Sequence, residues 1–244
     1  MSIDLHCHTR YSDGSTPLEE LIQLAALRGV TTFALTDHDT MAGCECALEL
    51  GREAGVMVIP GVEISAADPK RHGKAHILCY KPKKPEALLP LLQKTTDSRH
   101  AAMLRSVDKV CRLYAIPREM ILRRAEGSTN IYKQHVLQAL MDAGYASEMF
   151  GEVFKKLYDS KTGIAYEKVD YPDIDTVMDA VDAAEGIAVL AHPSEYHSMD
   201  LLRELCRNHR IRGIEVYHQS PVRESCHRTA PPRGRRKKSP AQPV

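Results

Sequence analysis

The chain alternates short apolar runs with amphipathic segments over much of its length. We predict strands in the apolar runs near 3–7, 31–36, 56–62, 75–80, 187–192 and 212–217. Apolar residues at helical spacing predict helices near 17–28, 40–54, 174–184 and 198–209. Strands that alternate with helices indicate βα units, so the pattern predicts an α/β fold with a mainly parallel sheet.

Residues 85–166 interrupt this alternation. They are rich in Leu, Met, Ala, Arg and Glu, and their apolar positions recur at helical spacing, as at Leu104, Val107 and Cys111. This pattern predicts a helical insertion. Insertions beside the C-terminal ends of strands are where α/β enzymes commonly keep the residues that select a substrate.

Length and composition suit one main domain. A chain of 244 residues can bury a substantial core. Its seven cysteines form no CxxC pair, which favours reduced thiols over a disulfide framework. No apolar run is long enough to span a bilayer, and strand residues begin at position 3, which leaves no room for a signal peptide. We therefore predict a cytoplasmic protein without a membrane partner.

Residues 219–244 differ in composition from the rest. They hold five prolines and seven of the 33 lysines and arginines, with Glu224 as their one acid. Without them the chain is acidic, which argues against a groove for long nucleic acids. A Pro- and Arg-rich segment without periodicity cannot form a packed core. We predict a disordered basic tail after a domain at 1–218.

Candidate chemistry begins in the first predicted strand. His6 and His8 are two residues apart, and side chains with that spacing point to the same side of a strand. Asp13 follows just beyond the strand end. Two imidazoles and a carboxylate form half of a metal site, although strand histidines are often only hydrogen-bonded polar groups.

Two further groups follow the next strands. The segment 36–40, with Asp37, His38 and Asp39, follows the apolar strand at 31–35. They can form a polar turn in which Asp39 or Thr40 caps the next helix, while His38 serves as a metal ligand. Glu63 lies inside an apolar strand, where an acid is seldom buried without a partner, so a cation is a good explanation. A carboxylate can also bridge two ions through its two oxygens.

The pattern continues at the later strands. His76 opens one strand, His192 ends another, and the segment from Glu215 to His218 ends a sixth. Six such coincidences favour one shared site. Imidazole and carboxylate ligands favour Zn²⁺, Mn²⁺ or Fe²⁺, and the set is large enough for two or three ions, as in phosphoryl transfer. The predicted metal ligands are His6, His8, Asp13, His38, Glu63, His76 and His192.

The chain resembles the PHP (polymerase and histidinol phosphatase) family in six successive motifs, DLHCHTRYSDG, LTDHDT, PGVEIS, AHILCY, LAHP and GIEVYH. It is most similar to the stand-alone bacterial metal-dependent phosphoesterases of that family, which act on nucleotides and other small phosphate esters. The resemblance implies a distorted (β/α)7-type barrel with a trinuclear centre at the C-terminal ends of the strands.

The resemblance also implies roles for single residues. By motif, the first ion would take His6 and His8, the second His76 and His192, and the third Asp13 and His38, with Glu63 bridging the first two.

Relatives often carry an Arg-Pro-His in the insertion that contacts substrate phosphate. Lys133 and His135 occupy the comparable place here and are the predicted phosphate-binding residues. Lys133 keeps the charge of Arg but not its fork geometry. The alternative interpretation is an exposed helix start.

The resemblance ends at His218. The family continues with a helix and a last strand whose Asp-x-His motif supplies ligands to the first and third ions, whereas residues 219–244 resemble nothing in the family. We interpret the chain as truncated, with its last strand missing, and the tail as an out-of-frame reading of a GC-rich gene. The alternative is a genuine basic tail for nucleic acid.

These observations predict a metal-dependent hydrolase whose substrate is a small phosphate ester such as a nucleotide. A metal-bound hydroxide would attack phosphorus, with Asp13, His38 and Glu63 as the catalytic residues. One alternative is a catalytically impaired remnant that binds metal weakly. Another is a phosphoesterase that acts on nucleic-acid ends.

Overall fold

The computed structural model describes residues 2–217. Within that range six strands form one sheet: β1 (Ser2–Cys7), β2 (Val30–Leu35), β3 (Met57–Asp68), β4 (Gly73–Tyr80), β5 (Ile187–Leu190) and β6 (Gly213–Ile214). The same range holds eight α-helices: α1 (Leu18–Leu27), α2 (Cys44–Ala54), α3 (Leu89–Leu113), α4 (Arg118–Arg124), α5 (Lys133–Asp142), α6 (Glu152–Tyr158), α7 (Ile174–Ala183) and α8 (Met199–Arg207). His218, the predicted tail and the predicted truncation lie outside the described residues.

The strands follow one another in the sheet in sequence order. β1, β2 and β3 are parallel neighbours, as are β5 and β6, but β4 is antiparallel to both β3 and β5. β4 reverses because only a short turn around the 3₁₀ helix Pro69–Arg71 joins it to β3, and a parallel partner needs a much longer crossover. The resulting hairpin carries β3 to Asp68, beyond its predicted end at 62.

The sheet curls into a half-barrel. The Tyr80 hydroxyl on β4 donates to the Leu5 carbonyl on β1 at 2.6 Å, although β2 and β3 lie between these strands in the sheet. Across the opening, His6 on β1 lies 3.1 Å from Glu215, which directly follows β6. A barrel-like α/β fold with a helical insertion is therefore confirmed. Residues from several strands meet on the concave side of its sheet.

Three apolar clusters support this shape. One packs β3, β4 and β5 against α7 and α8, and a second packs β2 and β3 against α1 and α2. The third lies within the predicted insertion and joins α3, α4, α5 and α6. The insertion thus has its own core, which lets it hold side chains rigidly opposite the sheet. No helix among the described residues has the length and apolar character needed to cross a membrane.

Helix α2 shows how local sequence sets the packing of this layer. Cys44, Ala47 and Gly51 form its buried stripe. Gly51 allows β3 to approach closely, because a Cβ at that position would lie 2.4 Å from Cγ2 of Val58. Gly55 ends the helix at φ 69°, a left-handed conformation that glycine adopts at little cost.

Candidate metal centre

Five imidazoles surround one buried carboxylate at the concave side of the sheet. We call this group, His6, His8, His38, His76 and His192 around Glu63, the imidazole cluster. Glu63 lies in the middle of β3, between β2 and β4, and only 1% of it is exposed. Because residues alternate along β3, its neighbours Val62 and Ile64 turn to the opposite face and are buried in the apolar core.

The two oxygens of Glu63 face different imidazoles. Oε2 lies 3.1 Å from Nε2 of His6 and 2.9 Å from Nε2 of His8. Oε1 lies 2.8 Å from Nδ1 of His76 and 2.8 Å from Nε2 of His192. Burial raises the pKa of Glu63, but the imidazoles, led by His38 and His76, outweigh it and hold that pKa well below its usual range. Glu63 is therefore a carboxylate at neutral pH.

His6 and His8 converge as strand alternation predicts. Their Nε2 atoms are 3.1 Å apart. The Nδ1 atom of His8 lies 2.7 Å from Oδ1 of Asp13, which fixes the orientation of the ring. Burial lowers the pKa of His6, but hydrogen bonds with Glu215 and Glu63 raise it to about 9. The acids thus favour a positive charge, a proton or a cation, at this position.

His38 and Asp13 lie on the side of the cluster that faces the insertion. His38 Nε2 is 3.8 Å from Oδ2 of Asp13, and the Gln134 amide donates to the same oxygen at 2.6 Å. Burial raises the pKa of Asp13, and His38 and His8 more than offset this, so it stays below its usual range. Burial lowers the pKa of His38 to about 4 despite Glu63 and Asp13. The His38 ring is therefore neutral near pH 7 and can offer a lone pair.

Two acids flanking His38 have a different task. Asp37 accepts hydrogen bonds from the Thr9 amide and hydroxyl, both at 2.7 Å, and Asp39 accepts from the Ser65 amide at 2.8 Å. The prediction that Asp39 or Thr40 caps the next helix is wrong, because Gly43 is the N-cap residue. Helix α2 begins only at Cys44, and Asp39 turns back to β3 with φ at 53°. These buried acids fix the loops that carry the imidazoles.

Glu215 contacts the imidazole cluster, although it is absent from the predicted set of metal ligands and stands in the sequence only as part of a strand-end motif. Its carboxylate lies 3.1 Å from Nδ1 of His6 and accepts the backbone N–H of His192 at 2.8 Å. An acid at the end of a short apolar strand was the only sequence signal. The contact depends on β1 and β6 meeting across the half-barrel, which spacing along the chain does not show.

The donor set fits divalent metal ions. Four groups of potential ligands have donor atoms within 4.8 Å of one another: His6, His192 and Glu215; His6, His8 and Glu63; His8, Asp13 and His38; and His38, Glu63 and His76. Nδ1 of His38 is buried and lies 3.1 Å from Oε2 of Glu63, yet it makes no hydrogen bond within the described chain. Two atoms that bind the same ion lie at such a distance without a hydrogen bond between them, because metal bonds near 2.1 Å leave the ligand atoms about 3 Å apart.

The helical insertion forms the other side of a cavity of about 480 Å³. We call its lining residues Arg99, Lys133, Phe150, Phe154 and Tyr158 the insertion wall.

Two cations of the insertion wall lie against aromatic rings. Arg99 on α3 packs over the Tyr132 ring at 4.9 Å and forms an ion pair with Asp39. Lys133, the first residue of α5, lies 5.2 Å from the Tyr158 ring centre. Burial, together with Lys74 and Arg99, lowers the pKa of Lys133 to about 8.

The two predicted phosphate-binding residues take different positions. Lys133 lines the cavity. His135 is 1% exposed, and its Nδ1 accepts the Tyr132 N–H at 3.2 Å, so its ring packs behind the helix start. Their spacing in the sequence does not show which of the two lines the cavity, because that depends on how the first turn of α5 is oriented toward the cavity. Arg99 and Lys74 also line the cavity, although neither belongs to a recognisable motif.

The PHP domain family model matches residues 4–185 of the chain. The chain is 38% identical over 217 residues to a phosphoribosyl 1,2-cyclic phosphate 1,2-diphosphodiesterase from Eggerthella lenta, covering 88% of this chain and 82% of the relative. It is 33% identical to a 5′-3′ exoribonuclease from Haemophilus influenzae (80% and 69% covered) and 28% identical to a 3′,5′-nucleoside bisphosphate phosphatase from Chromobacterium violaceum (94% and 81% covered). The chain belongs to the PHP domain family.

Solved structures agree with this assignment. A candidate metal-dependent phosphoesterase from Bifidobacterium adolescentis superposes with a TM-score of 0.82 at 27% identity, covering 93% of this chain and 81% of that one. The predicted family and the predicted reaction class, metal-dependent hydrolysis of phosphate esters, are confirmed. The roles of single residues, the identity of the metal and the number of ions stay predictions.

Proposed function

We propose that the chain hydrolyses a nucleotide or another small phosphorylated metabolite with two or three divalent ions, Mn²⁺, Zn²⁺ or Fe²⁺, in the imidazole cluster. The position of Glu63 carries this proposal. A carboxylate that is 1% exposed offers one oxygen to His6, His8 and His38 and the other to His76 and His192. Such an arrangement suits a bridge between two cations.

The remaining ligands divide around that bridge. His6 and His8 share Oε2 of Glu63, and His76 and His192 share Oε1, which supports one ion on each side. Asp13 and His38, with His8 nearby, support a third. Ions bound there supply Lewis acidity toward phosphoryl oxygens and lower the pKa of the attacking water.

The protein's own groups orient these ligands and the substrate. Asp13 fixes the His8 ring and is itself held by Gln134. His38 is fixed by its position between Glu63 and Tyr132, whose ring lies 6.2 Å away. Asp13 and His38 both lie where the cluster meets the insertion, and because their pKa values lie below neutral they hold no proton at pH 7, so in this proposal they act as ligands rather than as the acid for the leaving group.

The insertion wall supplies a second subsite, which would bind an anionic group of the substrate. Lys133 and Arg99 line the same cavity as the imidazole cluster, and Lys74 on β4 adds a third cation. Three cations that face one cavity favour a substrate with a negative group besides the reacting phosphate. The diphosphodiesterase and the bisphosphate phosphatase similar to this chain are named for substrates of that kind.

Substitution of Glu63 tests the proposal. Glu63→Ala should lower kcat/KM for a nucleoside bisphosphate at least about a thousandfold, since the loss of bridged ions removes several kcal/mol of transition-state stabilisation. Glu53→Ala, which changes an exposed acid on α2, should leave turnover unchanged. Metal content per chain, measured by mass spectrometry, should fall only in Glu63→Ala. Unchanged turnover in that variant would show that the assignment is wrong, and wild-type protein with less than one ion per chain would favour the impaired remnant.

The exoribonuclease relative supports a second candidate, hydrolysis at a nucleic-acid end. The cavity of about 480 Å³ is of small-molecule size, which favours a mononucleotide. Comparing kcat/KM for a mononucleotide and for a short oligonucleotide decides between them. Cytoplasmic localisation stays a prediction.

A further inference from the structure

Three aromatic residues of the insertion wall form a continuous row. Phe150, Phe154 and Tyr158 are spaced four residues apart, which places them on one side of α6 and the turn before it. The Phe150 and Phe154 ring centres are 5.2 Å apart, and those of Phe154 and Tyr158 are 5.7 Å apart. Since Lys133 lies against Tyr158, the row leads outward from a cation to the mouth of the cavity.

The outer end of this row does not pack into the core of the insertion. Phe150 is 59% exposed and lies outside the insertion's apolar cluster, whereas Phe154 packs against that cluster with one side. Tyr158 is fixed from behind, because Ser106 and the Tyr158 hydroxyl are hydrogen-bonded at 3.2 Å. An exposed phenyl ring beside such a packed neighbour offers a flat apolar surface, and with two side-chain torsions it loses little conformational entropy on binding.

We propose that Phe150 and Phe154 bind the base of a nucleotide substrate, while Lys133 and Arg99 hold one phosphate and the imidazole cluster receives the other. This inference rests on the proposed function and specifies the substrate class. Stacking of a base on an aromatic ring is substantial and tolerates any base. A sugar phosphate without a base gains nothing from this surface, so the row distinguishes nucleotides from phosphorylated sugars.

The test compares two substrates that differ only in the base. One is a nucleoside 3′,5′-bisphosphate, and the other is its abasic analogue with hydrogen in place of the base. Phe150→Ala should lower kcat/KM for the nucleotide about tenfold while the value for the abasic compound stays within about twofold. Phe154→Leu, which keeps apolar volume in the core, should act in the same direction.

Tyr145→Ala provides the matched control. Tyr145 is a 40% exposed aromatic of the same insertion, and its ring contacts Tyr114, but it does not line the cavity. This variant should treat both substrates as the wild type does. Equal losses on the two substrates in Phe150→Ala, or no loss on either, would overturn the base site.

A binding measurement separates this inference from the proposed function. Calorimetry with metal-free full-length protein compares a nucleoside monophosphate with ribose 5-phosphate. Tighter binding of the nucleotide that disappears in Phe150→Ala supports the base site even if no ester is hydrolysed. Equal affinity of wild type and Phe150→Ala for the nucleotide overturns it, even if the Glu63 experiment succeeds.

Discussion

The imidazole cluster and the insertion wall face one cavity but are built in opposite ways. In the cluster, functional groups contact one another, with Glu63 as a common partner at 2.8 to 3.1 Å. In the insertion wall, each contact joins two neighbours: Arg99 packs over Tyr132, Lys133 lies over Tyr158, and the three aromatic rings follow one another in a row. A coupled cluster should respond as a unit and affect all substrates alike, whereas separate groups should show graded effects that depend on the substrate.

Glu215→Gln changes the edge of the imidazole cluster and should have a larger effect than Lys133→Met or Glu167→Ala. The amide keeps the shape and one oxygen that can accept the His192 N–H, but it loses the negative charge beside His6, and an NH2 donor replaces the second acceptor oxygen. Metal affinity should fall about 10- to 100-fold, as when a residue that orients a ligand is changed. Metal titration of turnover measures this, and saturating metal should restore most of kcat for every substrate.

The control for Glu215→Gln is Glu185→Gln, an exposed acid that pairs with Lys83 and Lys84 on the surface. Its metal affinity should match the wild type. A loss in Glu215→Gln that is confined to one substrate would contradict the view that the cluster acts as a unit.

Lys133→Met removes a charge from the insertion wall and should have an intermediate effect. KM for a bisphosphate should rise about tenfold at neutral pH, since a charge-assisted hydrogen bond is lost, while a monophosphate should be little affected. The Lys133 pKa of about 8 also predicts a pH dependence. Below pH 8 the ammonium is charged and binds the anion, and above pH 8 it becomes neutral.

The wild-type KM for a bisphosphate should therefore rise above pH 8, and the KM of Lys133→Met should stay flat over the same range. Lys133→Arg, which keeps the charge at all these pH values, should also remove the rise. A KM that rises equally in all three proteins would assign the titration to another group.

Glu167→Ala should have the smallest effect. Glu167 pairs with Arg105 and Lys109 on α3 at 2.8 Å and fastens the segment after α6 to the insertion. Both partners are well exposed, so the pairs contribute up to about 1 kcal/mol. Thermal melting should show a decrease of about 2 to 4 °C at most, with turnover near the wild-type value. Glu167 also lines the cavity, so a large loss of turnover would mean that its carboxylate, and not only its ion pairs, contributes to the site.

The convergence of the strand-end histidines and acids could be predicted because two local rules bring them together. His6 and His8 share a side of β1 through strand alternation, and Glu63 stands out as an acid inside an apolar strand. His38 and His192 follow short apolar runs within three residues. The reversal of β4 was not predicted, yet His76 still reaches Glu63, because an antiparallel strand with the right register also points alternate residues inward.

The insertion wall was much less predictable. Arg99 lies within a long amphipathic helix with nothing to mark it, and it meets Asp39 only through folding. Lys133 and His135 are two residues apart, and the helix turn sends one into the cavity and the other into the core.

By itself, the sequence determined the family, the reaction class and most of the imidazole cluster, because period-two alternation and polar residues at the ends of buried strands are local properties of the chain. Only the tertiary structure decided that Glu215 contacts His6, that Lys133 rather than His135 lines the cavity, and that an aromatic row points toward its mouth. These features depend on the curl of the sheet and on how the insertion docks against it. Both are set by packing between segments far apart in sequence, which no local pattern encodes.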